Sequence, residues 1–103
     1  MNKFVALVFA GLVSSQAQAA SGITVDGHTA CLSREWLDDI VSFAIAGDRA
    51  SSQSYKDTQK CVVLKGGLRV TVTGYSGLLG GITVFVYDGV KFWTLSNGIK
   101  SEK

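Results

Sequence analysis

At Cys61 the spacing of apolar residues in this chain changes from a helical period to a strand period, and that switch sets the class of fold. Upstream, Trp36, Leu37, Ile40, Val41 and Ala44 recur at helical intervals. Ser33 is suited to cap the first turn, because its hydroxyl can accept a bond from a free amide. Leu32 and Leu37 have the spacing of a hydrophobic staple across that cap. Glu35, Asp38 and Asp39 lie near the positive helix end, and Gly47 is a natural stop. The spacing predicts a helix over 34–46. Asp48 can cap a second segment reaching Thr58, whose interior is rich in serine and has only Ala50 and Tyr55 as apolar contacts. Serine competes with helical backbone bonds, so 48–58 reads either as a weak second helix or as an irregular loop.

Downstream the period is two. Cys61–Leu64 is a short β-rich run ended by Lys65-Gly66-Gly67, and Leu68, Val70 and Val72 alternate with Arg69, Thr71 and Thr73. Gly74–Gly81 reads as a glycine-rich loop carrying Tyr75, Leu78 and Leu79. Ile82–Tyr87 and Val90–Leu95 flank Asp88-Gly89, a strong hairpin signal. A two-residue turn fixes the register, opposing Tyr87 to Val90, Phe85 to Phe92 and Thr83 to Thr94. On the other face Val86 meets Lys91, Val84 meets Trp93 and Ile82 meets Leu95. Ser96-Asn97-Gly98 marks a further turn. Ahead of the helix, residues 20–30 are small and polar with a turn at Asp26-Gly27; they read as a loose arm or one short strand at Ile23–Val25. The expected class is α+β: an N-terminal helix, or two, packed on a small antiparallel sheet.

The first residues read as an address. Lys3 precedes an apolar run from Phe4 to Val13, and Ala17-Gln18-Ala19 supplies the small residues of a signal-peptidase site. A membrane span needs about 20 apolar residues, which this run lacks. Residues 1–19 are therefore expected to be a cleaved signal peptide, and 20–103 a single mature domain that is periplasmic or secreted, with no membrane span. Losing Lys3 leaves basic and acidic residues nearly balanced and scattered, which gives no footprint for nucleic acid.

Cys31 and Cys61 are the only cysteines. In an exported chain an even count reads as a disulfide. A metal pair and a catalytic thiol are the competing readings, but with one histidine, His28, and no further cysteine a tetrahedral N/S site lacks ligands, so the disulfide is preferred and no metal and no cofactor are expected. His28 itself reads as a solvated side chain.

Both faces of the hairpin are substantially apolar, whereas a sheet wetted on one side should alternate cleanly. Either both faces are covered within the chain, by a curled sheet and the amphipathic helix, or one is a contact surface. Phe85 and Phe92 read as a buried cross-strand pair. Trp93, Tyr75 and Tyr87 are the candidate binding residues, since exposed Tyr and Trp supply much contact energy.

The segment Leu64–Val72 (LKGGLRVTV), followed by a loop, a hairpin and Phe92-Trp93-Thr94-Leu95, resembles bacterial SH3-like small β-barrels. That family often opens on an L-x-x-G-x-x-V-x-V strand and carries a late Trp followed by an apolar position. The chain also resembles small uncharacterised exported proteins that place a Cys-Leu-Ser/Thr helix before such a barrel. The resemblance covers about residues 61–99. It implies an SH3-like barrel or curled sheet behind the arm and helices of 20–60. It also implies a binding role toward cell-wall (peptidoglycan) peptides, proline-containing peptides or a protein partner, with Trp93 as the aromatic of the ligand groove.

Catalytic patterns are missing. Neither Gly66-Gly67 nor Gly80-Gly81 leads into the Lys-Ser/Thr and helix of a phosphate loop. Asp38 and Asp39 are adjacent, so on a helix they point about 100° apart. No strand-turn-helix elbow surrounds any serine. The expected function is a non-catalytic exported binding module for a peptide, cell-wall or protein partner, the alternative being an inhibitor or immunity protein that blocks one exported enzyme or toxin.

Overall fold

Ser33 caps the first helix as its side chain requires, its Oγ accepting from the Trp36 amide at 3.1 Å. In the computed structural model, which describes residues 20–102, helix α1 spans Arg34–Ala46. It ends at Gly47, whose left-handed backbone (φ 71°) directs its amide to Ala44 and that of Asp48 to Phe43. Helix α2 spans Arg49–Asp57, so the serine-rich segment is helical. Asp48 caps it by accepting from the Ser51 amide at 3.1 Å and the Ser51 hydroxyl at 2.7 Å. No residue of α2 is fully buried. It is held from one side instead: Tyr55 meets Phe43 edge to face at 5.1 Å, and its hydroxyl donates to Asp39 at 2.7 Å.

Seven strands make up the sheet: β1 (Ala20–Thr24), β2 (Thr29–Cys31), β3 (Cys61–Val63), β4 (Arg69–Ser76), β5 (Ile82–Tyr87), β6 (Val90–Leu95) and β7 (Ile99–Ser101). Their order is β3-β2-β6-β5-β4-β1-β7, and every pairing is antiparallel. β3 and β7 are edges, so the sheet is open and not a closed barrel. Residues 1–19, the expected leader, lie outside the described residues. Among the described residues no helix is long and apolar enough to cross a membrane.

Two expectations need correction. The polar arm, read as loose or as one strand at Ile23–Val25, forms two strands, so the helices are inserted between β2 and β3 and are not N-terminal to the sheet. Gly22 interrupts the apolar alternation that would mark β1 in the sequence. It sits in the strand interior because a Cβ there would come within 2.5 Å of Ile99 Cγ2. The other correction is at β4, which runs on to Ser76 past a bulge between Val72 and Gly74. Tyr75 is therefore a strand residue, and the loop shrinks to Gly77–Gly81.

The hairpin register is the expected one, all six pairs from Ile82↔Leu95 to Tyr87↔Val90. Asp88 (φ 53°) and Gly89 (φ 81°) both take left-handed backbone, the requirement of a type I′ turn. Because the register is fixed, the two hairpin faces enter two different cores. Ile82 joins Cys31, Leu37, Ile40 and Cys61 under the helices, with Trp93, Trp36 and Tyr55 packed around them. Phe85 joins Ala30, Leu64 and Val70 on the other face, with Phe92 and Ile99 alongside. Helices cover one face and the curl of the sheet covers the other. Cys31 and Cys61 are bonded and face each other across β2 and β3, with Cα atoms 3.9 Å apart and both side chains buried.

Candidate functional site: an apolar tip beyond the sheet

Beyond Ser76 the chain leaves the sheet in a short 3₁₀ turn, Leu78–Gly80. The base of this turn is tightly bonded. Ser96 donates its amide to the Gly81 carbonyl at 2.9 Å and its hydroxyl to the Gly80 carbonyl at 2.6 Å, while Thr83 Oγ1 lies 2.8 Å from Ser96 Oγ. Arg34 on α1 reaches Ser76 Oγ at 3.2 Å. What this framework holds out is apolar. Leu78 is 87% exposed, Leu79 96% and neighbouring Tyr75 66%. Leu95, at the same end of the hairpin, is also exposed.

Two energetic terms oppose this display. Each leucine would gain roughly 1.5–3 kcal/mol by leaving water. Leu79 also has left-handed backbone (φ 56°, ψ 29°), which costs a residue with a Cβ about 1–2 kcal/mol. Strain of that kind persists where surrounding bonds over-determine it, and it clusters at contact sites. Leu79→Gly removes the strain at the expense of backbone entropy. Urea denaturation is expected to show stability unchanged or raised by up to about 1 kcal/mol. A loss beyond that range would mean that Leu79 packs against the domain.

The three candidate residues do not converge. Tyr75 stands at the tip, paired with Thr83. Tyr87 shares that sheet face but lies four residues further along β5, about 13 Å away at strand rise, where it lines an apolar cavity. Trp93 is on the opposite face, half-buried in the helix-side core with the Lys91 ammonium 5.1 Å from its ring. Leu78 and Leu79 were visible in the loop but carried no alternation to mark them; their signal is two adjacent leucines set between glycines with no strand or helix to bury them.

The remaining polar chemistry is local. Among the described residues no three His, Cys, Asp or Glu side chains gather as metal ligands. Bonds from the Ser51 hydroxyl and amide lower the Asp48 carboxyl below its ordinary range. The Tyr55 phenol is raised, chiefly because its hydroxyl donates to the Asp39 carboxylate. Such a raised group contributes stability that is present below the pKa of an unfolded tyrosine and is lost as pH climbs through the folded value. In a phenolate absorbance titration Tyr55 is expected to ionise after an ordinary tyrosine; Asp39→Asn should bring it back. Coincident ionisation in the two proteins would remove the Tyr55–Asp39 bond from the account.

No protein-family model matches the chain, and no curated protein or solved structure gives a significant match. The architecture nonetheless defines a class, a disulfide-closed α+β domain on an open seven-stranded antiparallel sheet.

Proposed function

We propose that this is a non-catalytic exported binding module that recognises a protein partner through Leu78, Leu79 and Tyr75. One observation carries the reading: the two most exposed large apolar side chains of the described residues sit side by side on a turn whose base is rigidly bonded. An exposed apolar group held in fixed geometry loses little freedom on binding and gains the full benefit of burial. Export to the periplasm or beyond is supported by the leader-like first residues and by the buried Cys31–Cys61 bond.

The shape favours a second, narrower reading, that of an inhibitor or immunity protein. The tip holds two almost fully exposed leucines out into solvent, as suits insertion into the cleft of one exported enzyme or toxin. An SH3-like origin for β4–β6 is supported by the LKGGLRVTV strand and the late Trp93. The groove role belonging to that aromatic weighs less here, because Trp93 packs against the helix-side core. This also lowers the claim of peptidoglycan, which an accessible aromatic groove would serve better.

The test compares wild type with Leu78→Asp/Leu79→Asp on immobilised protein in periplasmic extract. The pair is solvent-exposed, so the variant is expected to keep wild-type stability within about 0.5 kcal/mol. A partner held at 1:1 stoichiometry by wild type should be lost by the variant, by tenfold or more in affinity. Equal retention by both proteins, or co-sedimentation with peptidoglycan that ignores the substitutions, contradicts the proposal.

A further inference from the structure

On the sheet face away from the helices the curl leaves a cavity of about 210 Å³. Its interior is formed by Leu64, Leu68, Val70, Phe85 and Phe92, with the Phe85 and Phe92 rings stacked at 5.4 Å. Thr24 is the one polar side chain in the depth, and its hydroxyl is already engaged, donating to the Lys65 carbonyl at 2.6 Å and accepting from the Leu68 amide at 2.9 Å. Among the described residues no buried side-chain nitrogen or oxygen lacks a partner. The interior therefore offers a guest no unpartnered polar side chain, and whatever enters must be apolar over its buried part.

Size narrows the class. An apolar cavity of about 150 Å³ takes benzene, so this one takes a single substituted ring and is too small for a drug-sized ligand. Charge narrows it further. Among the described residues Lys65 is the only charged one lining the cavity; it is exposed, as are Tyr87 and Val62 beside it. A ligand with its ring among the phenylalanines would place its other end near a cation unopposed by any carboxylate of the lining.

We infer that this cavity is a binding site for an aryl carboxylate, one aromatic ring joined by a short link to a carboxylate. The site is separate from the Leu78–Leu79 tip, so either can fail without the other. The same chemistry is presented by a free aryl acid and by a peptide that ends in an aromatic residue.

The experiment is an amide-resolved NMR titration of the folded protein with 3-phenylpropionate, hexanoate and a short peptide ending in Phe, the last as free acid and as amide. 3-Phenylpropionate is expected to shift the amides of Leu64, Val70 and Phe92 saturably and more tightly than hexanoate. Lys65→Gln should weaken it about two- to fivefold, the range of an exposed ion pair. Val62→Trp, at an exposed edge position opposite Ala30 on the cavity face, should block it while leaving the spectrum of a folded protein. Tighter binding of the free-acid peptide than of 3-phenylpropionate and of the peptide amide would identify a chain end as the source; otherwise the source is the free acid. No saturable shift at those amides, hexanoate binding equally well, or binding indifferent to Val62→Trp overturns the assignment.

Discussion

Replacing Cys31 and Cys61 together by alanine is expected to lower stability by about 3–4 kcal/mol, the chain-entropy value for a loop of this length. For a domain of this size that is a fall in Tm on the order of 12–30 °C. The local structure explains why the bond matters beyond its entropy. α2 buries none of its residues fully, and β3 is a three-residue edge strand, so neither is held by a large packed surface. The bridge joins β3 to β2 on the helix side of the sheet, and Lys60 next to it stacks its ammonium over Trp36 at 5.4 Å and Tyr55 at 4.6 Å. Unfastening β3 thus loosens the end of α2 as well. Circular dichroism should show helix signal lost in the same transition as the sheet, at a lower temperature. A fall in Tm of only a few degrees would mean that packing alone holds these elements.

Phe85→Ala is expected to cost about 3–5 kcal/mol, the usual range for a fully buried phenylalanine. The ring is 1% exposed, stacks on Phe92, and belongs to the central strand of the core that the helices do not reach. Phe85 already lines the cavity on that face, so the space it leaves would join the existing one. Small domains have only about 5–15 kcal/mol in total, so the variant should be largely unfolded in mild urea. Tyr87→Ala, on the same strand and face but 41% exposed, is the matched control and should cost clearly less. Equal losses at the two positions would contradict the division into an interior core and a wetted rim.

How much of this could be read from the residues alone follows from how local each signal is. α1, its Ser33 cap and its Gly47 stop are written within a few residues, and so is the Asp88-Gly89 turn that sets six cross-strand pairs. Those features appear as expected. The serine-rich α2 was ambiguous because its support comes from Phe43, Asp39 and the disulfide, all outside the segment. β1 was harder still: its Gly22 is favoured only because β7, nearly eighty residues on, passes too close for a side chain. The candidate site was legible in part. Tyr75 belongs to it, whereas Trp93 and Tyr87 share its chemistry but not its place, because the sheet separates Trp93 by face and Tyr87 by position along the strand. Leu78 and Leu79 become meaningful only once the bonds from Ser96 show that the turn is held rigid while its side chains are not covered.

The most direct measurement places a photo-crosslinking phenylalanine derivative at Leu79, and at Thr71 as an exposed control on the same β4–loop unit, in cells that export the protein. If the tip is the contact surface, light should produce one discrete protein adduct from position 79, in high yield and absent from position 71. Adducts of equal yield from the two positions, or none from 79 while the folded, exported protein accumulates, would contradict the central claim.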